Sequence, residues 1–168
     1  MSIQVSAVNV VTNPELFDAG LDLMVDSFRQ AYSAFDAERD LRIVDLEKFL
    51  AGIKEHELEV FAERPSEIEV LAASCDGELG GMVILDRHED GVLYIRQIAT
   101  APRFLRSGVA RALVLETIRR RDGRNVRLVT RRINQASQGL FKSIGFEEIV
   151  DWSHPDYNPN VYLSMALS

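Results

Sequence analysis

The chain has 168 residues, of which 46% are hydrophobic and 27% charged, a composition that buries a core and forces no disorder. It carries one cysteine, Cys75, so no intramolecular disulfide forms, and the opening MSIQVSAVNVV holds neither a basic leader nor an apolar run of membrane-spanning length, so a cytoplasmic location without membrane contact is expected. The net charge of −7 is unevenly placed: ten arginines between Arg103 and Arg132, against Glu116 and Asp122, give that segment +8 and leave −15 elsewhere. Such a division suits a polyanionic ligand beside the arginines and a cationic second substrate on the acidic remainder.

In chain order, Ile3 to Val11 alternates as a strand, and Thr12-Asn13-Pro14-Glu15 combines capping-box spacing with a first-turn proline. A helix follows, with Phe17, Leu21, Met24 and Phe28 on its core face. After an irregular stretch from Ala31 to Asp40, a second helix is predicted from Val44, on Leu46, Phe49, Leu50 and Ile53; Leu58 to Phe61 either continues it or forms a short extended piece before Pro65.

The period then changes to two. Ile68 to Ser74 and Leu79 to Leu85 flank Asp76-Gly77, a type I′ hairpin signal, and Asp90-Gly91 repeats the device before a strand over Val92 to Ala99. Pro102 stops that strand. The segment Arg106-Ser107-Gly108 leads into a helix with Ala110, Leu113, Val114, Thr117 and Ile118 on one face and Gly123 as its C′ residue. Val126 to Thr130 is the next strand, Asn134 opens a last helix ending at Gly145, and Phe146 to Val150 pairs with Val161 to Leu167. The polar loop Asp151 to Asn160 lies between that closing pair. No metal site is expected, because His56, His88 and His154 are far apart and lack a second ligand at helical spacing.

The turn around Gly108 is the most informative stretch. A helix start presents N–H groups without intrahelical partners and the positive end of the macrodipole, and Gly108 and Ala110 let an anion approach closely. Ser107 is either a hydroxyl donor to that anion or simply an N-cap. The third small residue of a dinucleotide fingerprint and the Gly-Lys-Ser/Thr of a P-loop are absent, which removes those two classes.

Two segments, IATAPRFLRSGVARAL and NQASQGLFKSIGF, taken in this order after a meander, resemble the GNAT superfamily of acyl-CoA-dependent N-acyltransferases. The first is similar to that family's strand, proline and Arg/Gln-x-x-Gly-x-Gly/Ala loop, the second to its Asn-x-x-Ala-x-x-Leu-Tyr-x-x-x-Gly-Phe helix. The resemblance covers essentially the whole chain as one domain, 1–168. It implies a GNAT-like fold of mixed α+β class: a twisted mixed sheet of six to seven strands with about four helices, splayed between the strands around 92–100 and 126–130.

The resemblance further implies acetyl-CoA, or another acyl-CoA, as cofactor. The backbones of Arg106, Ser107, Gly108, Val109 and Ala110, with Arg111, would hold its pyrophosphate. Ile98, Ala99 and Thr100 would line its pantetheine arm, contacted also by Asn134 and Phe141, and a backbone N–H near Ala99 or Thr100 would face the developing oxyanion. Acetyl transfer to a primary amine, by direct attack in a ternary complex, is the implied reaction. The acceptor, a small-molecule or peptide amine and not a nucleic acid, would meet Tyr32, Phe35, Gln97, Trp152 and Tyr157; a homodimer is a frequent arrangement in such families.

Three positions depart from the pattern. Leu105 stands where the loop begins with Arg or Gln, and Ser137 replaces an alanine. Phe141 occupies the position of the tyrosine that protonates the departing thiolate, and phenylalanine has no proton to give. Tyr94, Ser143, Tyr157 and Tyr162 are substitutes that sequence does not rank. The strand before the loop, Tyr94-Ile95-Arg96-Gln97, has no carboxylate to serve as base. His154 is then either a base or a solvated surface histidine. An acyl-CoA-binding domain with little turnover is the alternative function.

Overall fold

The computed structural model describes residues 1–150 and 157–168. Its centre is one seven-stranded sheet in the order β1-β2-β3-β4-β5-β7-β6. The strands are β1 (Ile3–Val8), β2 (Ile68–Cys75), β3 (Glu78–Asp86), β4 (Val92–Thr100), β5 (Asn125–Arg131), β6 (Glu147–Ile149) and β7 (Tyr162–Leu167). The helices are α1 (Pro14–Tyr32), α2 (Leu46–Glu63), α3 (Val109–Arg119) and α4 (Gln135–Ile144). The mixed sheet and four helices match the expected class. Among the described residues only β4 and β5 pair in parallel, and α3 supplies the crossover that a parallel pair needs.

Each sheet face has its own core. Phe17, Leu21 and Met24 of α1 and Val60 of α2 cover Val70, Met82, Ile84 and Ala99. On the other face Val109, Leu113 and Val114 of α3 and Phe141 of α4 cover Leu71, Val83, Leu93, Ile95, Val126 and Leu128. Each fully buried Leu or Met in these layers contributes about 2 kcal/mol of transfer free energy. Packing of α3 on β3 is close enough that a Cβ on Gly81 would lie 2.7 Å from Val109 and 2.8 Å from the Ala99 carbonyl.

Several local expectations change. Asn13, not Thr12, caps α1, its side chain accepting from the Leu16 N–H at 3.3 Å, because Pro14 then fits the first helical position. Asp45 caps α2 one residue beyond the predicted start at Val44. That helix runs through Leu58 to Phe61, since Val60 is needed against the sheet. Asp76 and Gly77 both take positive φ, as a type I′ turn requires, whereas at Asp90-Gly91 only the glycine does. Gly123 is not the C′ residue of α3, which is capped at Arg120; with Asp122 it forms the centre of a turn closed by the Arg124 N–H on the Arg121 carbonyl at 3.0 Å.

The feature that positions the site is where pairing stops. β4 and β5 are in register only from Val92–Asn125 to Ile95–Leu128. Beyond that point β5 continues along β7 as far as Arg131–Tyr162, while β4 follows β3 to Thr100. Arg96 is skipped in the β3–β4 register, a bulge that bends β4 at the divergence. Two well-paired neighbours thus pull the strands apart and leave an opening through the sheet.

Candidate functional site

A cavity of about 430 Å³ occupies this opening, with walls from α1, α2, β4, β5 and α4. Ile98 and Leu128 mark the parted strands. The Ala101 N–H donates to Gly80 at 2.8 Å, so by strand alternation the backbone groups of Ala99 turn to β3 and those of Ile98 and Thr100 face the gap. An oxyanion donor at Ala99 therefore does not fit, because its N–H is directed into the sheet. The Thr100 N–H, by the same alternation, is directed to the gap.

At the C-terminal end of β4, Pro102–Phe104 forms a single 3₁₀ turn, and the chain reverses through Arg106 (φ 62°) and Gly108 (φ 92°) into α3. No side chain caps α3 among the described residues. The first helical bond runs from the Ala112 N–H to Gly108, so the N–H groups of Val109, Ala110 and Arg111 have no intrahelical acceptor. Ser107 is not the N-cap: its hydroxyl donates to the Phe104 carbonyl, and its N–H goes to the same oxygen at 3.3 Å. The cradle offered to an anion is therefore backbone, from Gly108 onward.

The arginine block is not one continuous patch. Arg103 pairs with Glu78, Arg119 and Arg120 with Glu116, Arg127 with Glu89 and Arg132 with Glu148. Among the described residues Arg106 and Arg111 have no carboxylate partner, and these two flank the α3 start; Arg111 Nη1 reaches only the Ser143 hydroxyl, at 3.3 Å.

The sequence-predicted side chains divide. Tyr32, Gln97, Asn134, Phe141 and Tyr157 line the cavity. Asn134 caps α4, its Oδ1 accepting from the Ser137 N–H at 3.0 Å, which leaves its amide nitrogen to donate elsewhere. Phe141 is 1% exposed, with its ring edge-on to Phe146 at 5.2 Å, so that it serves core and cavity wall together. Phe35, half-buried, is not on the wall, and Ser143 is exposed on α4 with its hydroxyl donating to Leu140 at 2.6 Å. Tyr94 lies behind the wall: burial, and then Tyr157, push its phenol well above the ordinary tyrosine range. The rings of Tyr162 and Tyr157 meet on the wall, tilted by 37° with centroids 4.7 Å apart. Trp152 and His154 lie outside the described residues.

Two groups escaped the sequence reading. Glu57, on α2, is 2% exposed and accepts from Arg96 at 2.9 and 3.2 Å and from the Gln97 amide at 3.1 Å. Arg96 also reaches Asp86 at 3.3 Å, and Asp86 holds Arg64 at 2.7 Å. Burial alone would raise the Asp86 carboxyl, yet the hydrogen bonds from Arg64 and the His88 N–H hold it below the usual aspartate value. The network fixes the Gln97 amide at the bulge. The second group is His56, one residue before Glu57, which supplies the imidazole on a described wall that has no carboxylate. Neither was visible locally, because a helix near residue 57 and a strand near 97 meet only in the folded chain.

The family model described as "Acetyltransferase (GNAT) family" matches residues 25–146. No curated protein sequence matches the chain. Among solved structures, the PaiA N-acetyltransferase of Thermoplasma acidophilum, in complex with coenzyme A, is 17% identical with a TM-score of 0.73, covering 98% of each chain. The ribosomal-protein-S18-alanine N-acetyltransferase of Escherichia coli is 18% identical with a TM-score of 0.64, over 99% of this chain and 93% of that one. An acetyltransferase of Bacillus subtilis in complex with CoA is 15% identical with a TM-score of 0.62, over 99% and 98%. At these identities the likeness is one of fold.

Proposed function

This chain belongs to the GNAT acetyltransferase family, and from that premise we propose that it moves an acetyl group from acetyl-CoA to a primary amine by direct attack in a ternary complex. The observation that carries the reading is the parting of β4 from β5 beside an α3 start that no described side chain caps. The pyrophosphate sits on the N–H groups from Gly108 to Arg111, with Arg106 and Arg111 adding charge. The pantetheine arm extends along β4 as an added strand, its amides on the open-edge groups of Thr100 and Ile98 and on Asn134, and those N–H groups also meet the thioester oxygen as it gains charge. Two of the solved structures similar in fold were determined with CoA, which supports an acyl-CoA as the cofactor.

The acceptor enters on the α1–α2 side, where Gln97 orients the nitrogen. An amine arrives protonated and must lose a proton to attack; His56 takes it through ordered water, since no carboxylate lies on the described wall. Attack forms the C–N bond, the tetrahedral intermediate collapses with cleavage of the C–S bond, and the thiolate leaves. At a thiol pKa of about 8.5 that departure proceeds without a strong acid, which suits Phe141 at the sulfur end. No covalent enzyme intermediate is needed, because the thioester is already activated and the protein supplies proximity.

The test is thiol release from acetyl-CoA over amino acids, polyamines, aminoglycosides and peptide amino termini, with CoA binding followed by thermal shift. Binding with release on one acceptor class is the expected result. Background release throughout overturns transfer. Tight binding with no release anywhere favours the second reading, an acyl-CoA-binding domain, for which buried Phe141 in place of an acid is the specific observation.

A further inference from the structure

Arg131 ends β5 on the face covered by α1 and α2 and is 6% exposed. Its Nη1 donates to the Leu41 carbonyl at 2.6 Å and its Nε to the Tyr32 hydroxyl at 3.3 Å. The rings of Tyr162, Tyr32 and Phe49 stand 4.9, 5.4 and 5.7 Å from its Cζ. Among the described residues no carboxylate lies within ion-pairing distance, whereas Arg96 and Arg64, both more exposed, each hold two acids. A buried charge without a counterion is costly, and aromatic faces offset that cost only in part.

What remains on this guanidinium has a definite shape. Among the described residues two of its five N–H groups are engaged, which leaves one hydrogen on Nη1 and both on Nη2, including the end fork that takes a carboxylate with two parallel bonds. Tyr32 accepts from Nε and still has its own hydroxyl hydrogen to donate. Arg131 and Tyr32 both line the cavity proposed for acetyl transfer. A tether that only held the α1–α2 connection to the sheet would need the Leu41 bond but neither the open fork nor the cavity position.

We propose that the acceptor amine carries a carboxylate and that Arg131, with the Tyr32 hydroxyl, binds it. The proposal rests on the acetyl-transfer reading of the same cavity and names its substrate class. One fork and one hydroxyl match a monoanion; a phosphate dianion has three oxygens to satisfy. Arg131 lies three residues beyond Leu128, about 10 Å along the strand from the end of β4 pairing. Part of that distance is spanned by the arginine side chain, so the amine at Gln97 and the carboxylate belong to one small zwitterion or to one peptide residue.

The experiment uses calorimetry and thiol release on the CoA-loaded protein with α- and ω-amino acids of two to six carbons, each paired with its carboxamide. The expected result is at least tenfold preference for acids in the wild type, reduced in Arg131→Lys, which keeps charge but loses the fork, and absent in Arg131→Met. Affinity for acetyl-CoA is expected to change by less than twofold in both, with melting curves reporting folding. If Arg131→Met does not fold, the reduced ratio in Arg131→Lys carries the test. Equal binding of acids and amides, no acid-specific binding in the panel, or a ratio unmoved in both folded variants overturns the proposal. An acid preference in calorimetry without thiol release leaves the proposal standing and removes acetyl transfer instead.

Discussion

Arg96 Nε lies 2.9 Å from Glu57 Oε2, joining the bulge of β4 to α2 across 39 residues of sequence. This pair connects stability to the site, because the same carboxylate holds the Gln97 amide at the cavity wall. Glu57→Gln leaves Arg96 with Asp86 alone, and breaking a buried pair from one side costs about 3 to 5 kcal/mol. A melting temperature lower by roughly 10 °C or more is expected. A variant that melts with the wild type would show that the pair carries no stability.

The adjacent Asp86 gives the network a pH dependence. Its folded pKa is depressed, so its contribution is full above the unfolded value near 3.8 and is lost as pH falls through the folded value. Unfolding curves are expected to show stability falling below about pH 4, with a shallower slope in Asp86→Asn. An unchanged slope in that variant would place the acid sensitivity elsewhere.

His56 is exposed on α2 and no described hydrogen bond holds it, so its removal tests chemistry with little disturbance of the fold. His56→Gln is expected to lower kcat by about 10² to 10⁴ at neutral pH, with acetyl-CoA affinity and melting temperature retained. A kcat within twofold of wild type would remove the imidazole from the proton path.

On the proposed placement of acetyl-CoA, Phe141→Tyr puts a hydroxyl at the thiolate end of the cavity. The ring is held edge-on by Phe146, so the added oxygen keeps the phenylalanine orientation. A kcat gain of about 10² is expected, at a stability cost of about 1 to 3 kcal/mol if the hydroxyl is left unpaired. A folded variant without a gain would mean that thiolate departure does not limit the rate.

Gly108 adopts φ 92°, and a Cβ there would have only Ile3 Cδ1, at 3.9 Å, as a neighbour. Space is available but the backbone conformation is unfavourable for any other residue, by about 1 to 2 kcal/mol. Gly108→Ala is therefore expected to weaken CoA about tenfold while binding of acetyl-pantetheine, which lacks the pyrophosphate, stays level. Equal weakening of both ligands would argue against this turn as the pyrophosphate site.

The sequence by itself determined the parts whose physics is local. Period-two and period-3.6 patterns gave the strands and helices, Asp76-Gly77 and Gly145 gave a turn and a stop, and two short motifs pointed to the family. Boundaries failed where two local signals competed, as at Thr12 against Asn13, or where a turn residue was assigned to the wrong motif, as at Gly123. Only the tertiary structure decided the opening between β4 and β5, because it results from each strand following its other neighbour. It alone also decided which charges are paired and which remain: Glu57 comes to Arg96 from another element, half of the arginine block is engaged in ion pairs, and Arg131 is buried among aromatic rings without an acid among the described residues. Charge in a sequence is a sum over residues, whereas its chemistry depends on the few ångströms that separate a group from its partner, and that distance is set by packing.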